Sequence, residues 1–256
     1  MAFISVFPFY WMIVSATNTS QEVAMGKMTF GTNLLENYKW TTKYVDLGRS
    51  AVNSVIVTCV AVVVVLLISS IAGYSFEIYK SKAKDRVFLI FLACMMIPSL
   101  TTMVALYKMM AEWHLINNLL ACILPGFVSI WHVFLFRQSS QRFPYELIEA
   151  ARVDGMGELK IFFTIYVPIM KSTFSTGFIV CFMNVWGTFM WSRLVLLKDE
   201  MMTLPLAVNR LVSVNLEPTN FAAVLLGCTV CTLPTLVLFL LMPKAFAIGM
   251  SGSVKG

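Results

Sequence analysis

Few side chains in this sequence could do chemistry unaided, and their placement argues against an enzyme. Two histidines occur in 256 residues, His114 and His132, with no H-E-x-x-H around either. Hydrolysis or proton transfer needs a nucleophile with its base, a carboxylate pair or a metal cluster, and the long apolar stretches of this chain contain none. No G-x-x-x-x-G-K-[ST] is present, so the chain has no phosphate-cradling loop of its own. Cys228 and Cys231 form a C-x-x-C, but inside an apolar run with no second pair and no nearby His. There, as at Cys59, Cys94, Cys122 and Cys181, a thiol behaves as a small hydrophobe, and no disulfide framework follows.

Polar chemistry is concentrated in one stretch, FLFRQSSQRFPYELIEAARVDGMGELKIFFTIYVPIM, Phe134 to Met170. Pro144 suits the first turn of a helix, where its missing N–H leaves nothing unpaired. Glu146 and Glu149 then fall near the positive end of the helix dipole. The expectation is a short helix from about Pro144 to Asp154. Gly155 can turn left-handed just past its end, and Gly157 loosens the chain again. Leu147, Ala150, Ala151 and Asp154 recur at three- and four-residue spacing and so share a face. Two readings carry equal weight on pattern alone. Either small alanines and an apolar anchor dock into a groove, or the segment is a solvated connector whose alanines reflect helix propensity.

The elements that must position this stretch follow from composition. The chain is 59% hydrophobic and 12% charged, with a mean hydropathy of +0.80, where a soluble domain runs nearer half apolar and about a quarter charged. Six windows of 21 to 26 residues contain no Asp, Glu, Lys or Arg: Met1 to Gln21, Ala51 to Phe76, Val87 to Tyr107, Trp113 to Phe136, Ser172 to Ser192 and Pro218 to Pro243. A bilayer core about 30 Å thick needs roughly 20 apolar residues per helix. The expected fold is therefore an all-α integral membrane protein of about six transmembrane helices, near 1–17, 51–76, 87–107, 115–137, 169–192 and 220–243. It forms a single domain, 1–256, with the polar loop 138–168 between spans four and five.

The net charge of +6 lies in short connections, not on one face, which fits a membrane surface and sets nucleic acid aside. The densest basic cluster, Glu77 to Arg86, is placed in the cytoplasm, and with six spans so are both termini and the connection from Arg137 to Lys171. That side then carries 11 Lys and Arg and the other 8, spread over much longer loops. The first window reads as a transmembrane helix whose beginning is short or missing, and neither a positive leader nor a cleavage site marks it as a signal peptide. Asn18, Thr19 and Ser20 form a glycosylation triplet of a kind that arises often by chance.

Glu149, Ala150, Ala151, Gly155, Ile165, Val167 and Pro168 stand at the spacing E-A-A-x3-G-x9-I-x-L-P, with Val167 in place of Leu. This resembles the EAA loop of binding-protein-dependent ATP-binding-cassette importers. The resemblance extends to the carbohydrate branch, through FLFRQ, FPYEL, EAARVDG, PFYW at Pro8 to Trp11, NSVIV at Asn53 to Val57, AGYSF at Ala72 to Phe76, Ile97–Pro98, NVWGTFMW and TLPL at Thr203 to Leu206. The subunit most resembled is the MalG-like one. Arg193 departs from that pattern, where an apolar residue or Pro is expected.

The resemblance implies a permease paired with a second, MalF-like permease on two ATP-binding-cassette subunits, which bind the ATP and Mg; no cofactor is implied in this chain. An external solute-binding protein would deliver a sugar. The docking reading of the loop is then favoured: Leu147, Glu149, Ala150, Ala151, Asp154, Gly155 and Pro168 would couple to the ATPase, with Gly155 as hinge. The location implied is a bacterial or archaeal cell membrane.

A permease for a non-sugar solute is one alternative. An ion-coupled carrier is a weaker one, because such carriers place ionisable residues within their spans. Asn184, Trp186, Trp191, Asn117 and Asn118 combine amides and aromatic faces suited to sugar rings. The packing alternative weighs more, since Trp at a span end commonly marks the interface and an intramembrane Asn often bonds a neighbouring helix. His132 beside Trp131 likewise reads as a packed, hydrogen-bonded side chain.

Overall fold

The structure is a computed structural model that describes residues 2–214 and 220–243. Among these the chain is helical and contains no strand. In hydrocarbon every backbone N–H and C=O must be satisfied within its own segment, which a helix achieves. The principal helices are α1 (Ala2–Ser15), α2 (Leu47–Ile78), α3 (Lys82–Cys94), α4 (Ser99–Glu112), α5 (Ile130–Ser140), α6 (Glu146–Val153), α7 (Lys171–Trp186) and α8 (Phe221–Leu241). Each of the six charge-free windows carries a helix, but not each a straight one. Among the described residues, Leu47–Ile78, Leu120–Ser140 and Phe221–Leu241 are long and apolar enough to cross a membrane.

Window three is broken: α3 and α4 meet at 98°. Pro98 forces the preceding residue out of the helical region, and its own extended ψ of 130° heads the next helix. The chain bends by 81° on entering window five, between Glu158–Ile169 and Lys171–Trp186. A wide π turn over Phe162–Tyr166 and Pro168 precede that bend. α7 stops at Trp186, and Met190–Val195 is a separate helix, so Arg193 stands on a short helix beyond the fifth apolar one. α1 has 14 residues, about 21 Å at 1.5 Å per residue, shorter than a bilayer core.

The described chain divides into two compact units. One comprises Met1–Val57, Leu115–Ala121 and Trp186–Leu241. Amide side chains staple its loops. Asn18 donates to the carbonyls of Val14 and Thr29, at 3.0 and 2.9 Å, and Asn37 to those of Ala16 and Asn18, at 2.9 and 2.8 Å. Asn18 is fully buried, so the glycosylation triplet belongs to the packing of this unit. Two motifs of the sequence pattern also meet here. Asn53 donates to the carbonyls of Glu200 and Met202, and Ser54 Oγ accepts from Leu204 N–H at 2.8 Å. NSVIV thereby holds TLPL.

Among the described residues the second unit comprises Thr58–His114 and Cys122–Val185, with Met242 and Pro243. Its main core cluster is Tyr74, Ile78, Phe143, Ile148, Ala151, Ile161, Phe162, Tyr166 and Met170. The end of α2 thus shares one cluster with α6 and the run leading into α7, which lie far along the chain from it. Next to it α2 crosses α5 closely at Gly73, and α7 meets α5 where His132 Nε2 lies 3.1 Å from the Gly177 carbonyl.

Candidate functional site

The helix expected over 144–154 is present as α6, Glu146–Val153. Pro144 lies just before it: its carbonyl accepts from Leu147 N–H at 3.2 Å and the Tyr145 carbonyl from Ile148 N–H at 2.9 Å. The difference of a residue or two is ordinary for helix ends. Gly155 has φ +77°, a left-handed value that costs a side-chain-bearing residue about 1–2 kcal/mol. Gly155 N–H donates to the Arg152 carbonyl at 3.0 Å and Met156 N–H to the Ala151 carbonyl at 2.9 Å, the paired bonds of a Schellman stop. A Cβ at Gly155 would meet nothing within 4 Å, so conformation and not space selects glycine here.

The shared face expected from spacing is divided by the structure. Ile148 and Ala151 are buried, at 0% and 3% exposure, and pack into the core cluster. Leu147, Glu149, Ala150, Asp154 and Gly155 are exposed. Ala151 therefore does not share an outward face with Ala150, a correction to the expected docking surface. The reason is geometric: successive helical residues differ by about 100°, so neighbouring alanines fall on two stripes, and the core claims one. Of the downstream pattern residues, Ile165 and Val167 pack against the same core cluster and Pro168 is exposed.

Sequence reasoning missed the polar tie around this helix. Arg152 Nε donates to Glu158 Oε1 at 2.7 Å, and Arg152 Nη1 to the Tyr145 hydroxyl at 3.1 Å. The other carboxylate oxygen, Glu158 Oε2, accepts from the Tyr74 hydroxyl at 3.2 Å. The Arg152 guanidinium also lies 5.3 Å from the Tyr79 ring centroid, and its bond to Glu158 holds it charged beyond the usual arginine range. The ion-paired side chains are 30% and 44% exposed, so the pair is worth about 0.2–1 kcal/mol. Its importance lies in what it joins. A second missed group is Arg137, 11% exposed, whose Nη2 donates to Asp85 at 2.5 Å while its guanidinium sits 4.0 Å from the Phe88 ring centroid.

Of the amide and indole candidates, Asn117, Asn118, Trp186 and Trp191 belong to the first unit and bond within it. Asn117 has φ +63° and its Oδ1 accepts from Leu197 and Lys198 N–H at 2.6 and 2.9 Å. Asn118 Oδ1 accepts from Leu120 N–H at 2.9 Å, starting the next helical turn. Trp186 Nε1 donates to the Cys231 carbonyl and Trp191 Nε1 to that of Ala121. These five bonds tie segments of that unit to one another. Asn184 is exposed.

An apolar bundle whose exposed stripe sits on a short, firmly stopped helix can be compared with known proteins. The profile described as "Binding-protein-dependent transport system inner membrane component" matches residues 66–249, a range that holds α6, its stop and its cradle. The chain belongs to this family. It is 41% identical over 254 residues to the lactose transport system permease protein LacG of Rhizobium radiobacter, covering 99% of this chain and 92% of that one. It is 34% identical to the arabinooligosaccharides transport system permease protein AraQ of Halalkalibacterium halodurans, over 100% and 93% of the two chains. In fold it is similar to a chain in the crystal structure of a bacterial ABC transporter involved in the import of the acidic polysaccharide alginate, with TM-score 0.81, 18% identity and coverage of 95% and 91%. Membership makes this protein an inner-membrane transport component.

Proposed function

We propose that this chain is the sugar-translocating permease subunit of an ATP-driven importer and that α6 is its contact with a partner ATPase. The observation that carries the reading is the division of α6, whose Ile148 and Ala151 are locked into the core while Leu147, Ala150 and Asp154 are exposed. Leu147, at 42% exposure, is the apolar anchor that a groove on the partner would cover. Similarity along nearly the whole chain to permeases named for lactose and arabinooligosaccharides supports sugar as the cargo.

In this reading the basic cluster Glu77 to Arg86 and the loop 138–168 face the cytoplasm, as do both termini. A second permease of the MalF-like kind completes the pathway, and an external binding protein delivers the solute. ATP and Mg are held by the two ATPase subunits, so this chain performs no hydrolysis. Glu149 is the polar end of the docking helix and Gly155 fixes where it stops. Closure of the ATPase pair would move α6 as a rigid lever, because its inward stripe, its Schellman stop and the Arg152 bonds all oppose bending within the loop.

The test is co-purification followed by reconstitution. The tagged chain, expressed with the permease, ATPase and binding protein genes beside its own, should retain the ATPase and drive ATP-dependent uptake of radiolabelled lactose or an oligosaccharide into vesicles. An assembled complex that takes up no sugar from a broad panel would overturn the cargo. A chain that retains no ATPase would overturn the coupling role.

A further inference from the structure

We infer that the Glu158 carboxylate is a hub that transmits displacement of the docking helix to the membrane helices, with Arg152 and Tyr74 as its two arms. This deepens the coupling role proposed above and rests on it. The observation is the division of labour between two oxygens of one side chain. Glu158 Oε1 accepts from Arg152 Nε, on the last turn of α6, and Glu158 Oε2 accepts from the Tyr74 hydroxyl, on the last turns of α2. Glu158 itself opens the helical run that leads into α7. A single carboxylate thus bonds to one residue from each of two helices while standing on a third segment, and all three lie in the same compact unit.

Each arm is backed by packing. Tyr74 is 5% exposed, with its ring at 4.9 Å from Tyr166 and 5.5 Å from Phe162, centroid to centroid. It has no room to swing away when the carboxylate moves. Arg152 is held by the Tyr145 hydroxyl at the other end of α6 and by the face of Tyr79, so its guanidinium moves with the helix rather than with solvent. The backbone between Arg152 and Glu158 contains Gly155 and Gly157, a link that alone would absorb motion rather than pass it on. The side-chain bridge spans that soft link. Glu158 is a positioning residue: it touches neither solute nor nucleotide, and its value is the shared geometry of its two oxygens.

The experiment uses the complete importer in vesicles, with ATP hydrolysis read with and without the lactose-loaded binding protein, and lactose uptake read in parallel. Tyr74→Phe keeps the buried ring and removes only the hydroxyl; Glu158→Gln keeps the volume and removes the charge; Arg152→Glu with Glu158→Arg reverses the pair. Tyr74→Phe and Glu158→Gln should leave the amount of assembled complex and the basal hydrolysis unchanged, and lower uptake per ATP hydrolysed at least threefold. The reversed pair should recover part of that ratio relative to Arg152→Glu alone. Wild-type uptake per ATP in Tyr74→Phe and Glu158→Gln would overturn the hub. So would losses that follow the amount of assembled complex, because that is the pattern of a merely structural tie. A wild-type chain that retains no ATPase is a different failure, which removes the coupling role itself.

Discussion

A Cβ placed on Gly73 would lie 2.5 Å from the Cβ of Phe136 and 2.8 Å from the backbone N of Arg137. α2 and α5 therefore touch backbone to backbone, the close approach that small residues permit between membrane helices. Backbone cannot rotate out of the way as the end of a side chain can. Gly73→Ala should cost about 1–3 kcal/mol through overpacking, and Gly73→Leu should prevent the crossing. The measurement is the thermal midpoint of the detergent-solubilised protein, with Gly157→Ala, whose Cβ would meet nothing within 4 Å, as the reference. Equal midpoints for the two alanine variants would show the crossing to be loose.

At Gly155 the two requirements come apart, with φ +77° and open space around the missing Cβ. Gly155→Val should fold and reach the membrane, with strain of about 1–3 kcal/mol confined to the stop. Gly155→Asn, a residue that tolerates left-handed φ, should lose little. Under the proposed coupling, uptake should fall in the order Gly, Asn, Ala, Val while the membrane-inserted amount stays level. Unchanged uptake for Val would remove the stop from the coupling machinery.

The two stripes of α6 predict opposite phenotypes from neighbouring residues. Ile148→Ala empties a fully buried site and should cost about 2–5 kcal/mol, read as a lower thermal midpoint and less protein in the membrane. Leu147→Ala, at an exposed site, should change stability by no more than about 0.5 kcal/mol and instead weaken retention of the ATPase. Loss of stability at Leu147 without loss of ATPase would reverse the assignment of the stripes.

Asn117 separates a sugar contact from a loop staple. Asn117→Gly keeps the left-handed backbone but removes the acceptor for the N–H groups of Leu197 and Lys198. Each N–H left without a partner costs about 1–3 kcal/mol where water does not reach it, less where it does. The expected result is faster protease cleavage around Lys198 with the KM for uptake unchanged. A raised KM with normal protease resistance would restore Asn117 to the solute path.

Glu22 gives a pH window. Its carboxylate, bonded by Lys27 Nζ at 2.7 Å and by Thr19 N–H at 3.0 Å, is drawn down from 4.5 to about 2. A group whose folded value is depressed adds stability above its unfolded value and loses it as pH falls through the folded one. Amide protection over 22–27, corrected for intrinsic exchange, should hold above pH 4.5 and decline toward pH 2. Glu22→Gln should show the weakened protection throughout; identical curves for both proteins would refute the role of this carboxylate.

What was legible in the sequence was what local rules govern. Gly155 announced the stop because left-handed φ is a property of one residue, and with Pro144 it placed α6 within two residues of its ends. The assignment of Ala151 to the outward face failed because three- and four-residue spacing admits both alanines, and tertiary packing against Tyr74, Ile161 and Tyr166 decides which is covered. The break at Pro98 was in view, but a count of uncharged residues is blind to backbone geometry. The bonds from Asn117 to residues 80 positions away leave no periodic trace at all.

The two faces of α6 and its cap also divide the evolutionary pressures on one short segment. Ile148 and Ala151 answer to the protein's own interior, so substitutions there must be matched by Tyr74 or Ile161 within the same gene. Leu147, Ala150 and Asp154, if they meet an ATPase, answer to a surface encoded elsewhere. An ancestral duplicate could then have changed motors by altering the second set alone, leaving its fold and its cargo as they were.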